Sequence, residues 1–245
     1  MSVFANLVEQ LADLLQPLFH ASATAAAIVL FTALVRLAVH PLSRAAARGQ
    51  KAKARLSPQI AELRKKHGKN PERLQKAMME LHKKEQVSPL SGCLPSLLQL
   101  PAFFLMYHLF SSSRIGGEPN GLLGHTLFDA PLGDRWADAL AHGGVFGGAG
   151  LVYLVLFAVV TGVAIFNFRR TKRQMAASPL PQGDTPGMGA MMKIMPLMSF
   201  ATLITVAVVP LAAALYVVTS TAWTAVERTV LYRDMPAAGA LATAA

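Results

Sequence analysis

The stretch SATAAAIVLFTALVRLAVHPL, Ser22 to Leu42, decides what kind of protein this is. At 1.5 Å per residue it is long enough to cross the roughly 30 Å hydrocarbon core of a bilayer as a helix. Arg36 is its only fixed charge. An arginine at that depth costs roughly 2.5–3.5 kcal/mol on insertion scales, so it is kept where water, a protein partner or a substrate reaches it. Thr32, Arg36, His40 and Ser43 follow one another at helical spacing and form one polar stripe. Phe31, Leu34, Ala38 and Leu42 face away from that stripe, so the span is expected to have a lipid side and a wet side. The alternative is that Arg36 merely snorkels to the interface.

The whole chain fits that reading. It is 53% hydrophobic and 15% charged over 245 residues, too apolar for a soluble basic domain of its length. The lone Cys93 allows neither a disulfide framework nor a cysteine metal site, and the seven histidines lack metal-ligand spacing. No metal or cofactor is expected. No catalytic constellation stands out either: GxSxG, HExxH, paired intramembrane carboxylates and a phosphate loop are all missing from the sequence. An enzyme is therefore not expected. The first residues, MSVFANLVEQLADLLQ, have no positive n-region or small-residue cleavage site, so no signal peptide is read there.

Residues 1–21 predict an amphipathic helix lying in the membrane interface, with Val3, Phe4, Leu7, Val8, Leu11, Leu14, Leu15 and Leu18 on one side and Asn6, Glu9, Gln10, Asp13 and Gln16 on the other. After the first span (22–42), residues 43–88 are basic and carry helix punctuation. Ser57-Pro58 reads as N-cap and first helical residue, Gly68 as a stop, and Asn70-Pro71 as a second start. Two short helices joined by HGKN predict an antiparallel helical hairpin. A second span (89–112) contains Pro95, Gln99 and Pro101, which membrane helices tolerate when neighbours re-satisfy the backbone. Residues 113–144 are expected to be a loop in which Phe128 and Trp136 rest at an interface. A third span (145–168) leads into a cytoplasmic loop (169–190). Met191 to Leu231 would be about 60 Å long as one helix, so it divides at Pro210 into a fourth span (191–209) and a fifth (210–231). A tail (232–245) closes the chain.

Thirteen of the 23 lysines and arginines lie in residues 43–88, and five more in 169–193. The positive-inside rule places both segments in the cytoplasm, with the N-terminus outside and the C-terminus inside. The hairpin is then expected to meet ribosomes, nascent chains or anionic lipid through Arg64, Lys65, Lys66, Lys69 and Arg73. No specific nucleic acid is expected as a partner.

The run LVRLAVHPLS, then LSPQIAELRKKHGKNPERLQKAMMELHKKE, then PLSGCLPSLLQLPAFFLMYHLF resembles the YidC/Oxa1/Alb3 family of membrane protein insertases. The resemblance continues through MMKIMPLMSF and VVPLAAALYVVTSTAWTAVERTVL. It implies an all-α polytopic fold: five transmembrane helices, an external amphipathic helix and a cytoplasmic helical hairpin. It also implies a bacterial plasma membrane location and a hydrophilic groove that is open to the cytoplasm and to lipid. By motif position, Arg36 would attract acidic residues of the translocating segment, with Trp223, Gln99 and Asn167 beside it. The short N-terminus resembles the minimal, Gram-positive form. The chain departs from the family pattern at Ala212, Val217, Thr221 and Glu227-Arg228.

Thr219 and Ser220, with Thr32 and His40, are further candidates for the groove lining, although serine and threonine in spans more often bond back to their own helix. The resulting expectation is an insertase and chaperone for nascent membrane proteins, with the ribosome, signal-recognition machinery and Sec translocon as possible partners. The alternative is a small-anion transporter using Arg36, though no internal repeat supports it.

Overall fold

The computed structural model describes residues 2–68, 70–87, 94–177 and 194–233. Its main elements are helices: α1 (Ser2–Phe19), α2 (Ala23–Arg55), α3 (Ser57–His67), α4 (Pro71–Lys84), α5 (Leu94–Ser111), α6 (Trp136–Gly143), α7 (Gly148–Ala177), α8 (Ala201–Val208) and α9 (Leu211–Leu231). The helical stretches Val3–Ala52 and Gly148–Arg173 are long and apolar enough to cross a membrane, and Met195–Val208 is a shorter apolar one. Cys93 and the methionines of 188–192 lie outside the described residues.

α1 doubles back on α2 through the turn His20–Ser22, where His20 takes a φ of +47°. This splits the apolar face of α1 in two. Ala5, Val8 and Ala12 are buried, while Val3, Leu7, Leu14 and Leu18 stay exposed. Phe31, expected on the lipid side, is instead buried, because the ring of Phe4 closes over it with centroids 6.5 Å apart. Helix α2 does not stop where its apolar stretch ends. Residues 43–55 are rich in alanine, arginine, lysine and glutamine, all good helix formers, and they carry the helix on to Arg55.

Only Leu56 separates α2 from α3, and its dihedrals are helical. Ser57 is therefore the first residue of α3 and makes no capping bond, contrary to the N-cap reading: a cap needs a break in the helical path, and here there is none. α3 and α4 pack on each other. Asn70 is an N-cap for α4, its side chain accepting the Arg73 amide at 3.1 Å.

The segment after α5 is more ordered than a loop. Two small antiparallel ladders form, β1 (Arg114–Ile115) with β2 (Glu118–Pro119) and β3 (Thr126–Leu127) with β4 (Ala130–Pro131). The first turn uses Gly116 and Gly117, both at positive φ, as a tight two-residue hairpin requires. Buried Asn120 staples the segment to α5: Nδ2 donates to the carbonyls of Leu109 and Ser112, each at 2.9 Å, and Oδ1 accepts the Leu122 amide at 3.3 Å. Trp136, expected at an interface, packs instead on α7 against Tyr153 and Phe157, with centroids 5.6 and 5.4 Å away. Phe128 does remain exposed.

This segment covers the start of α9. A helix N-terminus leaves amides unpaired, and here Leu211 N–H donates to the Asp134 carbonyl at 2.8 Å and Ala212 N–H to that of Leu132 at 2.9 Å. Tyr153 of α7 adds its hydroxyl to the same Asp134 carbonyl at 2.7 Å. Pro210 breaks the chain between α8 and α9, as its lack of an amide predicts. The core collects here, with Leu109, Phe110, Leu122, Leu132, Leu211 and Tyr153 almost wholly enclosed.

Candidate functional site

α9 carries the site. Leu211 to Val218 are buried on every side of the helix, whereas Thr219, Thr221, Ala222, Trp223 and Thr224 are only half-covered. The helix therefore passes from a closed end, sealed by Leu132 and Asp134, to a more open one. α2, α5 and α7 all pack against it.

The polar stripe of α2 points at this more open half. Arg36 Nε donates to Ser220 Oγ at 3.1 Å, and Nη2 donates to the Ser220 carbonyl at 3.1 Å and also to Oγ. One turn on, His40 Nδ1 donates to Glu227 Oε1 at 2.6 Å. The ionised carboxylate has only lone pairs, so the histidine supplies the proton. Ser220 and Glu227 are seven residues apart, two turns, and so share a face of α9. Among the described residues Arg36 has no ion-pair partner. Among the described residues, Glu227 lies near enough to attract it and Arg228 near enough to repel it. A guanidinium has five donors, and neutral oxygens hold this one without neutralising it.

The other candidates fall into three groups. Thr32 is buried and gives its hydroxyl to the Ile28 carbonyl at 2.7 Å, so its polarity is satisfied within its own helix. Thr219 precedes Ser220 and is half-buried. Asn167 Oδ1 and Trp223 Nε1 are buried atoms with no hydrogen-bond partner among the described residues. Native proteins leave few such atoms unpaired, and each needs an explanation. Here they offer one acceptor on α7 and one donor on α9. The two helices are tied just beyond them, where Arg170 Nη1 donates to the Arg228 carbonyl at 3.2 Å and its guanidinium sits 5.2 Å from the Tyr232 ring centre. Gln99 lies on α5, but its side chain is outside those described.

In the α3–α4 pair, Lys65, Lys66 and Arg73 are exposed and Arg64 is half-buried, while Lys69 lies outside the described residues. One side of α4 is an apolar trough of about 620 Å³ lined by residues including Leu74, Met78, Met79 and Val87. Glu227 is the site residue that sequence reasoning passed over. The signal was present: it is a carboxylate at the end of an apolar helix, in phase with Ser220.

A sequence model of the family described as 60Kd inner membrane protein matches residues 15–238. Among curated proteins, the chain is similar to "Membrane protein insertase YidC" of Clostridium perfringens, at 45% identity over 84 residues, which are 34% of this chain and 35% of the relative. Proteins of the same name from Alkalilimnicola ehrlichii and Polynucleobacter asymbioticus match at 41% over 87 residues (36% and 16% of the two chains) and 38% over 101 residues (41% and 18%). The matched stretches thus span about a third or less of these relatives' own length.

Proposed function

The chain belongs to the 60Kd inner membrane protein family, and from that premise we propose that it is a membrane protein insertase and membrane chaperone of the bacterial plasma membrane. The observation that carries this reading is Arg36, a half-buried cation on an apolar helix, held by the neutral oxygens of Ser220 and without an ion-pair partner among the described residues. A structural arginine at such a position would be expected to have a carboxylate on it, because the attraction offsets desolvation. One held by a hydroxyl and a carbonyl can exchange those contacts for a passing carboxylate.

In this proposal the chain spans the bilayer five times, with its N-terminus outside and the α3–α4 pair in the cytoplasm. The groove runs along α2 and the half-covered part of α9. Arg36, Ser220, Thr219, Trp223 and Asn167 line it, with Gln99 from α5. A polar client tail entering it avoids much of the cost of crossing hydrocarbon. Its acidic groups are drawn to Arg36, and the flanking hydrophobic segment leaves sideways into lipid. The unpaired donor of Trp223 and acceptor of Asn167 would bond water or client backbone. The driving force is partitioning into lipid, with no bond-making chemistry. Lys65, Lys66 and Arg73, with Arg64 and Lys69, would meet the nascent chain, the ribosome or the targeting machinery. Every relative described above is named as an insertase, and nothing favours the anion-transporter alternative.

The test is reconstitution of the purified chain in liposomes, with a single-span client and, in parallel, a panel of small anions. Client insertion without anion uptake is expected. Uptake without insertion would overturn the reading, as would failure to complement an insertase-depleted strain.

A further inference from the structure

We propose that Glu227 sets the charge preference of the groove: its carboxylate, drawn aside by His40, is a built-in competitor that weakens the pull of Arg36 on acidic client segments. This rests on the insertase reading.

The geometry supplies the argument. Arg36 and His40 are one turn apart on α2, and their partners Ser220 and Glu227 are two turns apart on one face of α9. The carboxylate therefore lies roughly 10 Å along the helix axis from the serine that holds Arg36. A client carboxylate that replaces Ser220 on Arg36 meets Glu227 as its next charged neighbour on that face. His40 fixes the resting position by donating Nδ1–H to Oε1 at 2.6 Å. Remove that donor, and the carboxylate is free to turn toward Arg36, the cation it already attracts. Arg228, next in the chain, carries the same charge as Arg36, and its backbone carbonyl accepts from Arg170 of α7. Glu227 is thus a specificity-determining residue and His40 its positioning residue.

Glu227 and His40 must then act with opposite sign. Deleting the carboxylate leaves Arg36 unopposed, and deleting the imidazole turns the carboxylate on Arg36. If the pair only ties α2 to α9, both deletions loosen the same contact and act alike.

The experiment uses the full chain in liposomes with two versions of one client, whose translocated tail carries either two aspartates or two asparagines. The readout is the ratio of their insertion rates, which loss of protein activity alone does not move. Glu227→Gln is expected to raise the acidic-to-neutral ratio by roughly three- to tenfold, the effect of a unit charge about 10 Å away at an effective dielectric constant near 20, attenuated by water. His40→Leu, which leaves no donor for the carboxylate, should lower the ratio several-fold. Shifts of the same sign in Glu227→Gln and His40→Leu, or no shift in either, overturn the inference. If Glu227→Gln does not accumulate, His40→Leu decides alone, and an unchanged or raised ratio sinks the proposal. Wild-type protein that inserts neither client would instead refute the insertase reading itself.

Discussion

Arg36 and Ser220, 184 residues apart in the chain, meet through three hydrogen bonds, two to the hydroxyl and one to the carbonyl. The contact holds the guanidinium in place and leaves its charge whole. Arg36→Ala should therefore abolish insertion of clients with acidic tails, whereas Arg36→Lys, which keeps the cation, should largely retain it. Ser220→Glu should act like the alanine variant by giving Arg36 a permanent counter-ion, with a drop of tenfold or more in insertion of the acidic client. Normal insertion by Ser220→Glu would show that the free charge is not what the client uses.

Trp223 makes a separate test. Its indole N–H has no partner among the described residues, so Trp223→Phe is expected to remove a donor without breaking a bond. Thermal unfolding in detergent should change by no more than about 0.5 kcal/mol, or move toward greater stability, because an unpaired buried donor contributes nothing favourable. If client or water uses that donor during insertion, the rate should fall while stability holds. A loss of stability above about 1 kcal/mol would mean that the N–H is satisfied in the resting protein.

The cover over the start of α9 should respond unequally to two substitutions. Tyr153→Phe loses one hydrogen bond to the Asp134 carbonyl, but Leu211 N–H still satisfies that acceptor, so the cost should be about 1 kcal/mol. Asn120→Ala strips partners from the Leu109 and Ser112 carbonyls and the Leu122 amide. That should cost about 2–4 kcal/mol, read as thermal unfolding in the same detergent. Equal costs would show that the Asn120 network is not a staple.

At the other end, Asn70→Ala removes the cap on α4. The expected loss is about 1 kcal/mol of local helix stability, and Asn70→Asp should restore most of it. Hydrogen exchange at the Arg73 and Leu74 amides is the direct measurement. Exchange unchanged in the alanine variant would remove the capping role.

Much of this architecture was legible because its determinants are local. The apolar run around Arg36 needed only composition and length. The break at Pro210 and the start at Asn70 needed only the chemistry of proline and asparagine. The Ser57 cap was misread because the same local rules do not reveal that α2 runs on to Arg55 and passes into α3 through helical dihedrals at Leu56. Phe31 and Trp136 were misplaced for a related reason. Periodicity says that a residue is on an apolar face, but not whether that face meets lipid, a ring of Phe4, or the rings of Tyr153 and Phe157.

The sequence by itself determined that Arg36 would sit in an apolar helix and that Thr32, Arg36 and His40 would share a stripe, since both follow from a period of 3.6 residues. Only the tertiary structure decided what that stripe faces. Ser220 and Glu227 reach it because Leu132 and Asp134 seat the first turn of α9, which fixes the helix in register beside α2. A register between helices far apart in the chain is set by packing and by hydrogen bonds across the fold, and no periodicity within either helix encodes it.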